Sequence, residues 1–523
     1  MRIRRLTTND TARLVAFYES LSDEVHWFYR PFTDITAEAL WDHLAGSDDL
    51  RHIIKGVVDD TGAVVGHAFI LNTDGPEPVL GIGLHQSVHG KGLGRELMVR
   101  VLDEADAWGL PLVTLTVVKT NHRAVRLYES LGFEIRGEVS FRSENDSHYM
   151  ERHRPAGQGM TFRRRLLTAL YGRRPDVMPW FADLSYWAHA QRAAGELPER
   201  YEGSEGFVRL HEDYGVGYYL GYAQVWSDTR EGVEVTAETE GPVTRTRWRT
   251  PVGELWGGER HLPETASSAP MRWPVQTPDD LRVLRYIANA TATTPTYEAY
   301  DAHKRLAGSR GHPTVLPPRS PVSQLLAQWT GAEHLSYLVA DAPDDVAQTI
   351  RVLSRAADGA YEAICAADTP YVELGDNLTG EVVTRLFERF QFDEYVHRVE
   401  QLHAVGIRIG THLDGTMRGI LPVLARTGID FVESITPAPV GDVPIEEVRD
   451  LAGPDIILFG GMPGAMFAPP FTREAVRQHI ERVIGSQWEN GRFILGAADQ
   501  VPPNGDMELV RLIGRWCEEL CTD

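Results

Sequence analysis

The strongest constraint on the fold is a repeated alternation of short apolar segments and amphipathic helical segments from about residue 313 onward. Alternation at this spacing predicts a parallel sheet with helical crossovers. The number of repeats favours a closed (β/α)8 barrel over an open sheet. The predicted strands are Thr314–Pro317, Tyr371–Leu374, Ile407–Thr411, Phe431–Ser434, Ile456–Gly460 and Phe493–Gly496.

Polar side chains follow these predicted strands at the points where the strands end. In a (β/α)8 barrel the chemistry lies at the carboxyl ends of the strands, so these side chains are expected to share one face. Three interpretations stay open: a metal site, a metal-free acid–base pocket, and loop caps with a structural role. The residues are Glu373, Asp376, His412, Asp414, Glu433 and Asp499.

A second feature lies near the amino terminus, where an apolar strand (Val79–Leu84) precedes glycines at 90, 92 and 94 and an apolar-periodic helix. Glycines let consecutive backbone N–H groups converge, and a helix N-terminus adds partial positive charge, so this loop can bind a diphosphate. A strand-to-helix turn also uses glycine for structural reasons alone. Downstream, the pattern predicts a strand over Val113–Val118 and a helix from Asn121 that ends at a glycine.

These two segments resemble the two motifs of the GNAT N-acetyltransferase family. His89-Gly-Lys-Gly-Leu-Gly94 is similar to the acyl-CoA motif, and the segment from Asn121 to Phe133 matches Asn-x-x-Ala-x-x-x-Tyr-x-x-x-Gly-Phe. The resemblance covers residues 1–153, for which we expect a mixed sheet with helices on both faces. It implies acetyl-CoA as cofactor and a small-molecule amine as acyl acceptor.

The resemblance also implies roles for single residues. Tyr128 would protonate the departing thiolate, with a packed helix tyrosine as the alternative. Asn121 would lie beside the pantetheine arm, although helix capping alone explains it. His89 stands where the family carries Arg or Gln, so side-chain help for the diphosphate is weaker and pH-dependent. The residues expected at the diphosphate are His89, Gly90, Lys91, Gly92, Leu93 and Gly94.

No spacing argument fixes the base that deprotonates the amine. His85, near the end of the strand that flanks the glycine loop, is our candidate, and a surface histidine is its alternative interpretation. Glu24 and His26 are further candidates, because they lie in an aromatic-rich segment. This segment is predicted either to shape the amine pocket or simply to pack two helices together, and both interpretations stay open.

Residues 154–159 are short, polar and rich in glycine and proline, and we predict a linker there. A second domain, residues 160–523, begins with an elaborated region that includes a hairpin-like pair of strands. This domain resembles the uroporphyrinogen decarboxylase superfamily, which includes methyltransferase barrels. The segments that carry the resemblance are Thr250–Gly253, Tyr371–Asn377, Gly410–Gly415, Phe459–Gly461 and Phe493–Pro503.

Two departures limit what the resemblance implies. The segment that binds porphyrinogen in the decarboxylases is replaced by Trp180–Trp187, so porphyrinogen decarboxylation is not expected. The methyltransferases bind zinc through one histidine and two cysteines, whereas this chain keeps His412 and has Asp414 and Asp499 at the cysteine positions. With Glu433, these residues could hold zinc, manganese or iron. His412, Asp414 and Glu373 are the candidate catalytic residues, and a metal-free pocket stays open.

Composition limits the classes of partner. A net charge of −22 over 523 residues disfavours nucleic acid and anionic membranes as main partners. Three cysteines cannot form a disulfide framework, and no secretory leader or membrane-spanning run is evident, so we expect a cytoplasmic protein. Self-association as a homodimer stays open.

The sequence therefore predicts a bifunctional small-molecule enzyme. An acetyl-CoA-dependent N-acetyltransferase domain would be joined to a decarboxylase-like or methyltransferase-like barrel that acts on a second small-molecule substrate. Two alternatives remain: the first domain could be a CoA-sensing regulatory module, or the barrel could be only a binding scaffold.

Overall fold

The computed structural model describes residues 1–29, 31–32, 34–48, 50–140, 143, 146–154, 159–219, 221–262 and 267–521. It consists of an amino-terminal α/β domain and a carboxy-terminal barrel, which confirms the predicted fold class. Within the described ranges, the helices are too short or too polar to cross a bilayer. Most of the predicted linker, residues 154–159, lies outside the described residues, and the domain boundary there stays a prediction.

The first domain is a seven-stranded sheet in the order β1-β2-β3-β4-β5-β7-β6. Neighbouring residues of β2 face opposite sides: Ile53 packs in the cluster that contains helix α4, and Ile54 packs in the cluster that contains α1 and α3. Helices therefore cover both faces, as predicted. The elements are β1 Arg2–Arg5, α1 Thr11–Glu19, α2 Asp23–Phe28, α3 Ala37–Asp48, β2 Ile53–Val58, β3 Val64–Leu71, β4 Val79–Leu84, α4 Leu93–Ala107, β5 Leu112–Val118, α5 His122–Glu129, β6 Glu134–Val139 and β7 Ser147–His153.

A wedge opens between the two central parallel strands of this sheet. β4 and β5 pair only at Val79 and Thr114, where the Thr114 N–H donates to the Pro78 carbonyl (2.8 Å). On its other edge β5 pairs with β7 along its whole length. Because the strands are parallel, the unpaired part of the wedge lies toward the end of β4, next to the glycine loop.

The second region begins with α6 and includes a four-stranded antiparallel sheet (β10–β13) that contains the predicted hairpin. Its elements are α6 Phe162–Leu170, β8 Trp180–Phe181, α7 Ser185–Ala194, α8 Gly203–Tyr214, β9 Trp226–Arg230, β10 Glu234–Glu240, β11 Val243–Thr250, β12 Gly253–Leu262, β13 Ser267–Arg272, α9 Pro278–Asn289, β14 Thr291–Pro295, α10 Glu298–Ala307, α11 Pro321–Gln324, α12 Gly331–Asp341, α13 Pro343–Ala356, α14 Asp358–Cys365, β15 Tyr371–Leu378, α15 Gly380–Phe390, α16 Phe392–His403, β16 Arg408–Leu413, α17 Leu421–Leu424, β17 Phe431–Ile435, α18 Ile445–Ala452, β18 Ile457–Pro463, α19 Arg473–Gln487, β19 Phe493–Ala498 and α20 Met507–Leu520.

Six of these strands form a continuous parallel sheet in the order β15-β16-β17-β18-β19-β8. Isolated parallel bridges close the ring: Phe181 pairs with Gly217, Tyr218 with Gly311, and Val315 with Val372. Two short segments between β8 and β15 therefore take the places of the remaining two strands of the (β/α)8 barrel. The predicted strand Thr314–Pro317 is represented by such a bridge rather than by a regular strand.

An aromatic layer fills the barrel near the beginnings of its strands. Ring centroids lie 4.8 Å apart for Tyr219 and Phe459, 6.1 Å apart for Phe181 and Phe459, and 5.9 Å apart for Tyr371 and Phe431. These residues belong to the same hydrophobic cluster as the inner faces of α4 and α6. The first domain and α6 thus cover the amino-terminal end of the barrel, and the two domains share one core.

A buried ion cluster reinforces this contact. Asp368, just before β15, accepts hydrogen bonds from Lys55 of β2 (2.9 Å) and from Lys304 of α10 (2.7 Å). Glu104 of α4 accepts two hydrogen bonds from Arg163 of α6 (2.9 Å each). Burial alone would raise the pKa of Asp368, but Lys304 and Lys55 hold it well below its ordinary value of 3.8.

We expect Asp368→Ala to destabilise the protein by about 3–5 kcal/mol, because removing one partner leaves two buried ammonium groups without their carboxylate. Urea unfolding at pH 7 would measure the loss. In the wild-type protein the Asp368 contribution is complete above pH 3.8 and is lost as the pH falls below it, because the folded pKa is the lower one.

The matched control is Asp450→Ala, at an exposed position of α18. Its effect is expected to stay within about 0.5 kcal/mol of the wild type. Equal losses for the two variants would show that the interdomain ion cluster contributes no more than a surface carboxylate.

Candidate functional site

The glycine loop is an open ring of backbone donors. Gly90 and Gly92 have φ angles of +80° and +81°, and nothing lies within 4 Å of a Cβ atom built at either position. The five successive N–H groups from Gly90 to Gly94 find no acceptor among the described residues. They lie at the start of the 15-residue helix α4, whose dipole adds partial positive charge there. The geometry suits an anion such as a diphosphate.

Side chains of the loop have different surroundings. The His89 imidazole donates from Nε2 to the Leu84 carbonyl (3.0 Å), so it ties the loop to the end of β4. Lys91 is exposed, and Leu93 is half-buried at the first position of α4. Lys91 is therefore the cationic side chain of the loop that is available to a ligand, whereas the His89 side chain is hydrogen-bonded to the backbone.

Asn121 and Tyr128 lie at the two ends of α5. The Asn121 side chain caps the helix by accepting the Ala124 N–H (3.2 Å). Tyr128 is 8% exposed and packs 6.1 Å from the Phe133 ring, and its hydroxyl has no hydrogen-bond partner within the described ranges. Burial raises the pKa of Tyr128 to about 12. Its hydroxyl is therefore protonated at neutral pH and free to donate.

His85 is engaged in the turn that follows β4. Its Nδ1 atom lies 2.8 Å from the Ser87 hydroxyl and its Nε2 atom 2.9 Å from the Gln86 amide nitrogen. Both ring nitrogens thus have neighbours in the turn, which matches the surface interpretation of this histidine. Its role as the base stays a prediction.

Sequence reasoning missed a buried tyrosine–histidine network in the first domain. The Tyr18 hydroxyl lies 2.9 Å from both the Tyr29 hydroxyl and His67 Nδ1, and His67 Nε2 lies 3.2 Å from His43 Nε2. Tyr29 covers Gly83 of β4 so closely that a Cβ atom there would clash with its ring. Burial, and then His43, holds the pKa of His67 well below its ordinary value, so this imidazole is neutral.

In the barrel, the structure brings Glu373, His412 and Glu433 together. One ligand atom from each lies within 4.8 Å of the other two, and this is the single such group found in the described part of the chain. His412 Nδ1 donates to Glu433 Oε2 (2.6 Å), and the Tyr219 hydroxyl donates to Glu433 Oε1 (3.1 Å). The parallel register places His412 beside Glu433 across β16 and β17.

The charges in this group alter the pKa values of His412 and Glu373. Burial opposes the His412 imidazolium, but Glu433, and then Glu373 and Asp499, raise its pKa to about 9. Burial, followed by the charge of Glu433, raises the pKa of Glu373 well above its ordinary value. The Glu433 charge thus favours the imidazolium form of His412 and the protonated form of Glu373.

The structure places the two predicted aspartates outside this group. Asp414 is exposed beyond the end of β16. Asp499 has a φ angle of +62°, and its N–H donates to the Ser434 hydroxyl (2.7 Å). Its carboxyl is still acted on by His412 and Asp414, so both aspartates face the same barrel mouth. Glu373, predicted as catalytic, completes the set because β15 turns it inward.

Asp183 and Tyr222 also belong to the mouth and were not predicted. Asp183 accepts hydrogen bonds from the Ser185 N–H (2.6 Å) and the Gln500 amide (3.0 Å), and burial raises its pKa to about 6. Tyr222 is 50% exposed. Burial at its hydroxyl end, and then the charges of Glu373 and Glu433, raise its pKa. Asp183 and Tyr222 follow strand segments that are very short or irregular. The sequence there has no apolar run from which a strand end could be predicted.

Comparison with known proteins gives separate matches for the first domain and for the barrel. An uncharacterized N-acetyltransferase of Mycobacterium tuberculosis is 38% identical over 105 residues, 19% of this chain and 66% of that protein. An L-methionine sulfoximine/L-methionine sulfone acetyltransferase of Salmonella typhimurium is 36% identical over 56 residues, 11% of this chain and 33% of that protein. The chain thus spans less than two thirds of either relative.

A methyltransferase from Methanosarcina mazei is similar in structure, with a TM-score of 0.45 and 14% identity, over 69% of this chain and 98% of that one. The family model described as Acetyltransferase (GNAT) family matches residues 14–133. The model described as Uroporphyrinogen decarboxylase (URO-D) matches residues 259–520. The chain therefore belongs to the uroporphyrinogen decarboxylase family and carries a GNAT acetyltransferase domain in front of the barrel.

Proposed function

We propose that the first domain transfers an acetyl group from acetyl-CoA to a small-molecule amine. The observation that carries the proposal is the row of five free N–H groups at the start of α4, beside the wedge between β4 and β5. The diphosphate of CoA would occupy the loop, and the wedge would admit the pantetheine arm. The Salmonella relative is an L-methionine sulfoximine/L-methionine sulfone acetyltransferase, which supports an amine of amino-acid size as the first acceptor to test.

In the proposed reaction the neutral amine nitrogen attacks the thioester carbonyl, so a nitrogen–carbon bond forms and the carbon–sulfur bond breaks. Tyr128 gives its proton to the departing thiolate, and the proton released by the amine returns to Tyr128 through solvent. The raised pKa of about 12 keeps this hydroxyl protonated until the thiolate develops. The buried Tyr29, over Gly83, would form part of the wall on the acceptor side.

For the barrel we propose a cytoplasmic small-molecule enzyme of the decarboxylase or methyltransferase type. The His412–Glu433 pair and Glu373, whose pKa is raised, would offer a proton donor and a proton acceptor within one pocket. Such opposed protonation states are what general acid–base chemistry needs. Three free cysteines are consistent with a reducing compartment.

A divalent metal is the second candidate for this pocket, favoured by the donor set. Glu373, His412 and Glu433 would hold it, since one imidazole and two carboxylates suit Zn²⁺, Mn²⁺ and Fe²⁺. A bound ion would supply Lewis-acid polarisation of a substrate oxygen. Asp499 and Asp414 would then lie beyond the ligands and adjust the charge of the mouth.

A CoA-sensing role for the first domain is the other candidate function. It is favoured by one observation, the ion cluster that joins α4 to the segment before β15. Glu373 follows Asp368 by five residues, so a movement of α4 on CoA binding would be transmitted to the barrel pocket.

Tyr128→Phe distinguishes catalysis from sensing. If the domain is an acetyltransferase, transfer to L-methionine sulfone should fall by about 10²–10⁴-fold while the Kd for acetyl-CoA stays within about threefold. Calorimetry and thiol release would measure the two quantities. The control is Tyr337→Phe, at an exposed position of α12. A domain that binds acetyl-CoA but supports no transfer to any amine would favour the sensing role instead.

Glu433→Gln should lower the pKa of His412 from about 9 to about its ordinary 6.5 or less, because burial remains after the carboxylate charge is removed. The wild-type pair stabilises the fold fully below pH 6.5 and loses this contribution as the pH rises through about 9. Histidine-selective NMR would follow the titration. Exposed Glu447→Gln is the control, and an unchanged His412 titration in the Glu433 variant would contradict the pairing.

If the pocket holds a metal, protein purified without chelators should contain about one equivalent of Zn, Mn or Fe per chain. His412→Ala should lose it, and His261→Ala, at an exposed position of β12, should retain it. Elemental analysis by mass spectrometry makes the measurement. Absence of all three metals would leave the acid–base pocket as the function of these residues.

A further inference from the structure

We infer that a cleft between the two domains binds a small molecule that carries a phosphate group. The cleft has a volume of about 400 Å³, and its lining includes no residue of the glycine loop or of the barrel mouth. Its walls come from β2, the second half of α4 and the residue after β7 on one side, and from α6, α10 and the turn after α10 on the other. Binding there is a function in addition to the two proposed reactions and does not depend on either.

Basic side chains predominate in this lining. Seven basic and four acidic residues line the cleft, although the whole chain carries a net charge of −22. Both domains contribute basic residues: Arg100 and Arg154 belong to the first domain, and Arg305 and Arg310 to the second. Arginine keeps its charge throughout the physiological pH range, so this excess of positive charge does not depend on the titration of any group.

Three of the four carboxylates in the lining are already paired with cations. Asp368 and Glu104 belong to the buried ion cluster between the domains, and Asp106 accepts two hydrogen bonds from Arg152 (2.7 and 2.8 Å). The fourth carboxylate, Asp103, is exposed and makes no ion pair in the described part of the chain. One exposed carboxylate is therefore left to compensate the remaining cations of the cleft.

Arginines with unused donors supply positions for an anion. Arg163 is 4% exposed and donates from Nη2 to Glu104, but its buried Nε atom has no hydrogen-bond partner within the described residues. The buried Nε atom of Arg310 also lacks a partner within those ranges. Arg305 is exposed, and among the described residues it makes no ion pair. Because buried donors in native proteins are almost always hydrogen-bonded, the two Nε atoms mark places for a ligand acceptor.

A phosphate group fits this arrangement better than a carboxylate. The basic residues of the cleft come from four separate segments, α4, α6, α10 and the turn after α10, and so approach from several directions. A phosphate accepts hydrogen bonds through several oxygens spread around one centre, whereas a carboxylate offers a single planar pair. Pockets for small molecules have volumes of about 300–1,000 Å³, so the cleft has room for a phosphate ester as well as for the free ion.

The position of the cleft gives the ligand a structural effect. A phosphate held by Arg100 and Arg154 on one side and by Arg305 and Arg310 on the other would join the two domains. A ligand that binds only the docked arrangement stabilises that arrangement by mass action. The phosphate compound would therefore be an effector that strengthens the contact between the domains.

Titration calorimetry on the full chain, near neutral pH and at constant ionic strength, tests the site. The probes are glycerol 3-phosphate, inorganic phosphate and glycerate, a carboxylate of similar size. We expect glycerol 3-phosphate to bind about tenfold more tightly than glycerate. Arg305→Ala should weaken its binding by about tenfold, the effect of losing a hydrogen bond between charged groups. The matched control is Arg282→Ala, an exposed arginine of α9 that makes no ion pair within the described ranges, and it should leave the binding unchanged.

Arg310→Ala is a second cleft variant and should weaken the ester in the same way, and the melting temperature of each variant shows whether it is folded. The glycine loop is the other place where a phosphate would bind, so Lys91→Ala separates the two sites. Binding that is lost in Lys91→Ala and survives both cleft substitutions lies in the loop and overturns the inference. Tighter binding of glycerate overturns it too, as does a lack of saturable binding by either phosphate probe. Inorganic phosphate that binds as tightly as the ester, and is weakened by the same cleft variants, supports the site with the free ion as its ligand.

Discussion

The contact between the two domains depends on a carboxylate held between two buried ammonium groups. Asp368 bridges Lys55 of the first domain and Lys304 of the barrel, and the next carboxylate of the cluster, Glu104, pairs with Arg163. Ion pairs of this kind contribute little net stability relative to apolar packing, but they are costly to break. They therefore specify how the domains dock, while the shared hydrophobic core supplies most of the favourable free energy.

This docking sets the positions of the two pockets. The first domain covers the end of the barrel where the strands begin, and the acidic group opens at the end where the strands finish. Phe181, Phe459 and Phe431 lie between them as a packed layer. A small molecule that leaves one pocket would thus have to pass through solvent to reach the other, so the fusion joins two pockets in one polypeptide rather than in one chamber.

The periodicity of the sequence predicted strands and strand ends, but it did not predict contacts between residues that are distant in the sequence. Strand ends recur regularly in a parallel barrel, so His412 and Glu433 could be assigned to one face. Asp499 could not be oriented, because its position depends on a left-handed backbone conformation (φ +62°) that an aspartate adopts only in particular turns. Tyr18 and His67 meet across 49 residues, and Lys55 and Asp368 across 313. Local patterns contain no information about such pairs.

The shared core also bears on where the chain can be divided. Leu166 and Leu167 of α6 and Tyr371 of β15 pack in the same cluster as Met98 of α4. A fragment that ends at residue 153 would expose this apolar surface, along with Lys55 and Glu104 without their partners Asp368 and Arg163. Exposed apolar area of this kind favours aggregation. The helix that presents the glycine loop is thus supported from behind by the barrel, and the acetyltransferase half is best regarded as one layer of a larger fold.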